Sequence, residues 1–258
     1  MTPEIRLTQS IDAPEDVVWR AVSTPRGLMG WQADEVEGDV QPGATLSMRW
    51  PALGVGVELD VVEVIPRDRV VLAKGATRVE LELGAGGVEL THSGVGDGDE
   101  REGVASSWQL SLGLLEHYCE RHRGKARTVR WLIRTAHTTP EAAHVFFSSP
   151  DALATWLGSG SGVGAPGEPY SLALGEGEQM SGRVLSNTPN RDLALSWDED
   201  DGSALVLRTL PRPFEPDVRL VVLSYSRWSG RAAPQHRLDL LEAAHHRLIR
   251  LLDSDQRA

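Results

Sequence analysis

The stretch PEDVVWRAVSTPRGLMGW, Pro14–Trp31, has a near copy later in the chain, PEAAHVFFSSPDALATWL, Pro140–Leu157. Each copy opens on Pro-Glu, runs through apolar residues, is punctuated by Thr-Pro or Ser-Pro, and carries a closing tryptophan, Trp31 or Trp156. The copies stand about 126 residues apart, and a repeat of that length can hold its own core, so it is a whole domain and not a solenoid unit. The 258 residues therefore read as two domains, 1–124 and 125–258, with Gly124-Lys125 as the break.

The flanks of the repeat agree. In IRLTQSI, Ile5, Leu7 and Ile11 alternate with Arg6, Thr8 and Ser10; in TVRWLIRTAHT, Val129, Trp131 and Ile133 alternate with Arg130 and Arg134. That period of two predicts a strand before each copy. Asp12, three before Glu15, and Thr138, three before Glu141, predict capping boxes at the first helix. Thr24-Pro25 and Ser149-Pro150 predict a second helix start, a hydroxyl before a proline at the first helical position. The repeat is thus two short helices meeting at a corner.

Strand patterns follow in the first half: TLSMRW, VELDVVEVIP, RVVLAKG, RVELEL and VELTHSG. The second half has EPYSLALG, QMSGRVLS, DLALSW, SALVLRTL and VRLVVLSYS. Each half ends in a long helix. Trp108, Leu112, Leu115 and Cys119 lie at helical spacing in one; Leu238, Leu241, His245, Leu248 and Leu252 do so in the other. The fold class is α+β: two tandem domains, each a curved antiparallel sheet around a long C-terminal helix with two short helices. A helix laid across such a sheet encloses either packed core or a pocket.

Three segments, APEDVVWRAVSTPRGLMGW, EVEGDVQPGATLSMRW and LTHSGVGDGDEREGVASSWQLSLGLLEHYCE, resemble the START-like, Bet v 1-like (SRPBCC) helix-grip superfamily. They are most similar to bacterial proteins related to the C-terminal domain of the activator of heat-shock-chaperone ATPase. The second half departs from the pattern: its long helix has no counterpart of Trp108, and GSGSGVGAPG stands where the first half has DEVEGDVQPG. The resemblance implies a helix-grip fold and an apolar ligand held in the pocket. Some paired members are polyketide aromatase/cyclases.

Formal net charge is −11, and the stretch up to Lys125 holds 12 Lys and Arg against 21 Asp and Glu. Such a surface repels phosphate backbones, so no nucleic-acid partner is expected. Cys119 is the only cysteine, which excludes an internal disulfide and is compatible with a reducing compartment. The N-terminal residues show no signal-peptide pattern, and no apolar run approaches the ~20 residues that span a bilayer. The expectation is a soluble, cytoplasmic, monomeric protein with no membrane partner.

The candidate ligand-binding residues are Trp31, Met48, Trp50, His92, Trp108 and Leu112 in the first half, and Trp156, Trp197 and His245 in the second. A tryptophan can line a cavity with its apolar face while its N–H finds a partner, and it can equally be plain core. His92 continues the Val88, Leu90 face of its strand and reads as a polar anchor or as a core-edge histidine bonded locally. His245 interrupts an apolar stripe and reads as a ligand contact or a satisfied core histidine.

No catalytic residue is assigned, because Ser106 and Ser107 lack partners at a motif spacing and no Gly-x-Ser-x-Gly occurs. No cofactor or metal is expected: His117 and His122 are five apart, and Cys119 with His122 is a weak pair. The glycine-rich Gly158–Gly167 has no lysine and follows a helix where a phosphate loop follows a strand, and it reads as a flap or degenerate edge strand. These residues point to non-catalytic binding of a small apolar or aromatic ligand. A protein-interaction or chaperone-regulating module and an aromatase/cyclase-type enzyme are the alternatives.

Overall fold

The computed structural model describes residues 4–84, 86–175, 177–212 and 214–255. The chain forms two units, Met1–Arg127 and Thr128–Ala258, and both follow one element order. In the first, β1 (Glu4–Ser10) is followed by α1 (Glu15–Ser23) and α2 (Pro25–Trp31). Then come β2 (Glu35–Glu37), β3 (Thr45–Trp50), β4 (Val55–Ile65), β5 (Arg69–Lys74), β6 (Thr77–Gly84), β7 (Gly87–Ser93) and the long α3 (Asp99–Arg121). The second runs through β8 (Thr128–His137), α4 (Pro140–Ser148), α5 (Pro150–Trp156), β9 (Ser159–Gly160), β10 (Pro169–Gly175) and β11 (Glu178–Thr188). It ends with β12 (Asp192–Trp197), β13 (Ser203–Arg212), β14 (Glu215–Arg227) and α6 (Gln235–Asp255). Each unit has a seven-stranded antiparallel sheet, ordered β1-β7-β6-β5-β4-β3-β2 and β8-β14-β13-β12-β11-β10-β9. The fold is therefore α+β, with two tandem helix-grip domains.

The corner of each repeat is built on the same contact. Trp31 Nε1 donates to the Ala21 carbonyl at 3.0 Å, and Trp156 Nε1 donates to the Phe146 carbonyl at 2.8 Å. The acceptor lies ten positions back in both cases, and both tryptophans are buried. The carbonyl of each tryptophan, an orphan of a helix end, is met by an arginine. Arg127 Nη1 reaches Trp31 O at 2.9 Å; Arg247 Nε and Nη2 reach Trp156 O at 3.0 and 2.8 Å. The long helices also match: Glu120 accepts the Asp12 N–H after β1, and Asp253 accepts the His137 N–H that ends β8.

The helix starts differ from expectation in part. Thr24 caps α2 through the Gly27 N–H at 2.9 Å, as its Thr-Pro signal predicts. Asp12 and Thr138 do not form capping boxes. Pro14 occupies the N-cap of α1 without a side-chain bond, and Pro140 starts α4 one residue later than expected, so Thr139 accepts from Ala142 N–H. Ser149 precedes α5 without a side-chain cap bond.

Two glycines set how α2 packs. A Cβ on Gly27 would lie 2.1 Å from the Arg20 carbonyl oxygen, and one on Gly30 would lie 2.4 Å from the Tyr118 ring. Gly27→Ala gains helix propensity but forces α1 and α2 apart. We expect a net loss of about 1–3 kcal/mol, the usual effect of overpacking. Urea melts followed by tryptophan fluorescence test this; an unchanged midpoint would mean that the two backbones do not touch.

Candidate functional site

A cavity of about 140 Å³ lies in the first unit, between α3 and the sheet. Strand register builds its floor: Leu72, Val79 and His92 are paired neighbours across β5, β6 and β7, and Met48 pairs with Val57 across β3 and β4. Trp108 of α3 and Trp31 of α2 close it from the helix side, and Trp50 lines it at the end of β3. Val57 lines the cavity yet is 39% exposed, so the mouth lies at β4.

The indole N–H groups of this wall are engaged within the protein. Trp108 Nε1 donates to His92 Nδ1 at 2.8 Å, with the rings edge to face at 6.1 Å. Trp50 Nε1 donates to the Gln32 carbonyl at 3.0 Å. With Trp31 bound to Ala21, all three indoles turn carbon toward the cavity and have their N–H groups satisfied. Because His92 accepts at Nδ1, its neutral ring carries the proton on Nε2. Burial lowers the His92 pKa, which keeps the ring in the neutral form that the Trp108 bond requires. His92 is the one ionisable residue of the lining; Gln32 and Thr77 supply its other polar side chains.

The structure thus brings together Trp31, Met48, Trp50, His92 and Trp108. Leu112 is buried one turn further along α3 and is not part of the lining. Gln32, whose Oε1 is buried without a hydrogen-bond partner, was not anticipated. It follows Trp31 at the helix end, where sequence spacing carries no pattern.

In the second unit the corresponding positions are occupied by buried residues. His92 pairs with Ile5 and Val79, and Tyr225 occupies the same register between Arg130 and Leu205. The Tyr225 hydroxyl donates to Asp200, which sits on a short 3-10 turn, Asp198–Asp200, between β12 and β13. Asp200 also meets Arg227 at 3.2 Å and Arg237 at 2.5 Å. The Arg237 guanidinium lies 4.9 Å over the Trp197 ring. Trp197 and Trp156 are buried core, with their N–H groups given to the Gln179 and Phe146 carbonyls. His245 is buried in α6, 3.1 Å from the Val221 carbonyl. Counted back from the matched Glu120 and Asp253, it occupies the place of Leu112.

Burial pushes the His245 pKa down to about 4, partly offset by the Val221 carbonyl. An unfolded histidine takes up its proton near pH 6.5, so between that pH and about 4 the unfolded chain binds more protons than the folded one. The stabilisation is full above pH 6.5, declines as pH falls, and is gone below about 4. It amounts to on the order of 3 kcal/mol. His245→Leu should flatten the fall in stability between pH 7 and 4.5; an unchanged slope would show that His245 protonates freely in the fold.

Elsewhere, Gly158–Gly167 contains the two-residue edge strand β9, paired with β10, followed by a loop. His117 and His122 do meet, with ring nitrogens 3.3 Å apart, because α3 ends at Arg121 and His122 leaves the helical path. Among the described residues, no group of three or more His, Cys, Asp or Glu could hold a metal ion. None of the described helices is long and apolar enough to cross a membrane.

Residues 12–120 match the model of the Activator of Hsp90 ATPase homolog 1-like (AHSA1) protein family. The match covers most of the first unit. No curated protein matches the chain. Among solved structures, the chain is similar to the Aha1 dimer from Colwellia psychrerythraea, with 24% identity over 46% of this chain and 96% of that one, TM-score 0.41. It is also similar to DynU16 of the dynemicin biosynthetic locus, with 20% identity over 96% and 98%, TM-score 0.41. A third is the AHSA1-like protein from Aeromonas hydrophila, with 13% identity over 49% and 94%, TM-score 0.39. The cavity lies in the matched unit; the second unit repeats its topology.

Proposed function

We propose that the AHSA1-like domain binds a small apolar or aromatic molecule without transforming it, through Trp31, Met48, Trp50, His92 and Trp108. The observation that carries this reading is a cavity walled by tryptophan faces whose N–H groups are all bonded within the protein. Its volume, about 140 Å³, is close to the ~150 Å³ of an engineered dry cavity that accepts benzene. It lies below the ~300–1,000 Å³ typical of sites for larger ligands. The fitting occupant is therefore of single-ring size. An acid–base pair for cyclase-type chemistry has no support in the lining, where His92 is already engaged by Trp108.

Toluene and indole, titrated separately while tryptophan fluorescence is followed, should each give a saturable change. Val79→Phe, which fills the floor, should abolish it and leave the fold intact by circular dichroism. Binding that survives Val79→Phe would locate the ligand elsewhere. No binding by wild type would favour the interaction module, for which Val55 and Val62, exposed at 47% and 51%, offer apolar surface on β4.

A further inference from the structure

We propose that the groove between α1, α2 and the C-terminal end of α3 binds the phosphate or carboxylate group of a small molecule. The groove has a volume of about 360 Å³ and is lined by Arg20, Arg26 and Arg123 together with Thr24, Tyr118 and Gly124. This size falls within the ~300–1,000 Å³ range of small-molecule sites. It is separate from the apolar cavity and does not rest on the reading of that cavity.

Three arginines here run against the composition. Up to Lys125 the chain has 21 acidic residues for 12 basic ones, yet no carboxylate lines the groove. Arg20 pairs with Asp16 at 2.5 Å across one helical turn. Arg26 and Arg123 instead donate to neutral backbone carbonyls: Arg26 Nη2 to Gly124 O at 3.0 Å, and Arg123 Nε to Cys119 O at 3.0 Å. Each of these bonds uses one of five guanidinium donors and fixes the fork in place. The remaining donors suit an oxyanion, which planar guanidinium binds in two-pronged fashion. Tyr118 is buried at the base of the groove, and burial raises its pKa, so its hydroxyl stays protonated at neutral pH.

The second unit shows that the fold does not require these charges. With Trp31 matched to Trp156 and Ala21 to Phe146, Arg20 corresponds to Val145, which is 54% exposed, and Arg26 to Asp151. A cation pair needed for packing would have left an apolar or ionic substitute in contact. Instead one position is a solvent-facing valine and the other has the opposite charge.

The test is an NMR titration of the full ¹⁵N-labelled chain with inorganic phosphate and, separately, with citrate at fixed ionic strength. Saturable shifts of the Gly27 and Gly124 amides are expected with at least one of them; phosphate alone assigns a phosphoryl group, citrate alone a carboxylate. Arg26→Asp and Arg123→Gln should each weaken binding by about tenfold or more, the effect of one charged hydrogen bond. Arg49→Gln, which removes an exposed cation paired with Glu37 on β3, should leave it unchanged. Arg26→Asp is expected to fold, since Asp151 holds the matching position in α5. The proposal is overturned if neither anion gives saturable shifts, or if Arg26→Asp binds as tightly as wild type.

Discussion

Asp200→Ala is expected to destabilise the second unit by about 3–5 kcal/mol, the effect of removing one partner from a buried ion pair. The carboxylate is buried and holds the Arg227 and Arg237 guanidiniums and the Tyr225 hydroxyl at once. Without it, Arg227, 7% exposed, keeps the neutral Arg231 and Ala232 carbonyls, and among the described residues its remaining carboxylate is Asp201 at 3.9 Å, 75% in solvent. Arg237 keeps Glu178 at 3.3 Å and therefore suffers less. Urea melts should show a transition of the second unit at lower denaturant, with that of the first unmoved. Asp200→Leu combined with Arg227→Met should recover part of the loss, because a buried pair exchanged for apolar groups is often neutral or better. A loss below about 1 kcal/mol would mean that water reaches the cluster, as at a surface pair.

Trp31→Ala should cost the first unit about 3–5 kcal/mol, the range for a large aromatic truncated in a core. The side chain is 1% exposed, and it anchors α2 to α1 through the Ala21 carbonyl. Its removal opens the cavity wall and leaves that carbonyl without its indole donor. Trp31→Phe keeps most of the apolar contact and should cost less than half as much. If Trp31→Ala left the melt of the first unit unchanged, the corner contact would not be holding α2. The half-buried Trp108 should show a smaller effect on truncation, concentrated in its bond to His92.

The architecture was legible because its signals are local. The alternation in TLSMRW predicts β3, and Thr24-Pro25 predicts the start of α2. The apolar cavity was legible in part, since Met48, Trp50 and His92 lie on strands whose alternation shows which residues share a face. Leu112 shares a helical stripe with Trp108, yet it is buried beyond the cavity, and spacing alone does not reveal where a gap beneath a helix closes. The second unit was the less readable. Nothing in WDEDDG, Trp197–Gly202, marks one carboxylate as interior; Asp200 is buried with the long-range partners Tyr225, Arg227 and Arg237. Trp156, Trp197 and His245 look the same in sequence whether they line a void or fill it.

The close approach of Gly30 to Tyr118 bears on how freely the two halves could exchange parts. At the corresponding places the second unit has Thr155, exposed to solvent, and Leu251, half-buried. The glycine therefore answers the tyrosine of the first unit and is not a requirement of the shared topology. A chimera that moves α5 into the place of α2 sets a threonine against the tyrosine ring and should fold poorly, whereas one that carries α6 along with it keeps the match. In the first unit, α2 and α3 are thus constrained to change together.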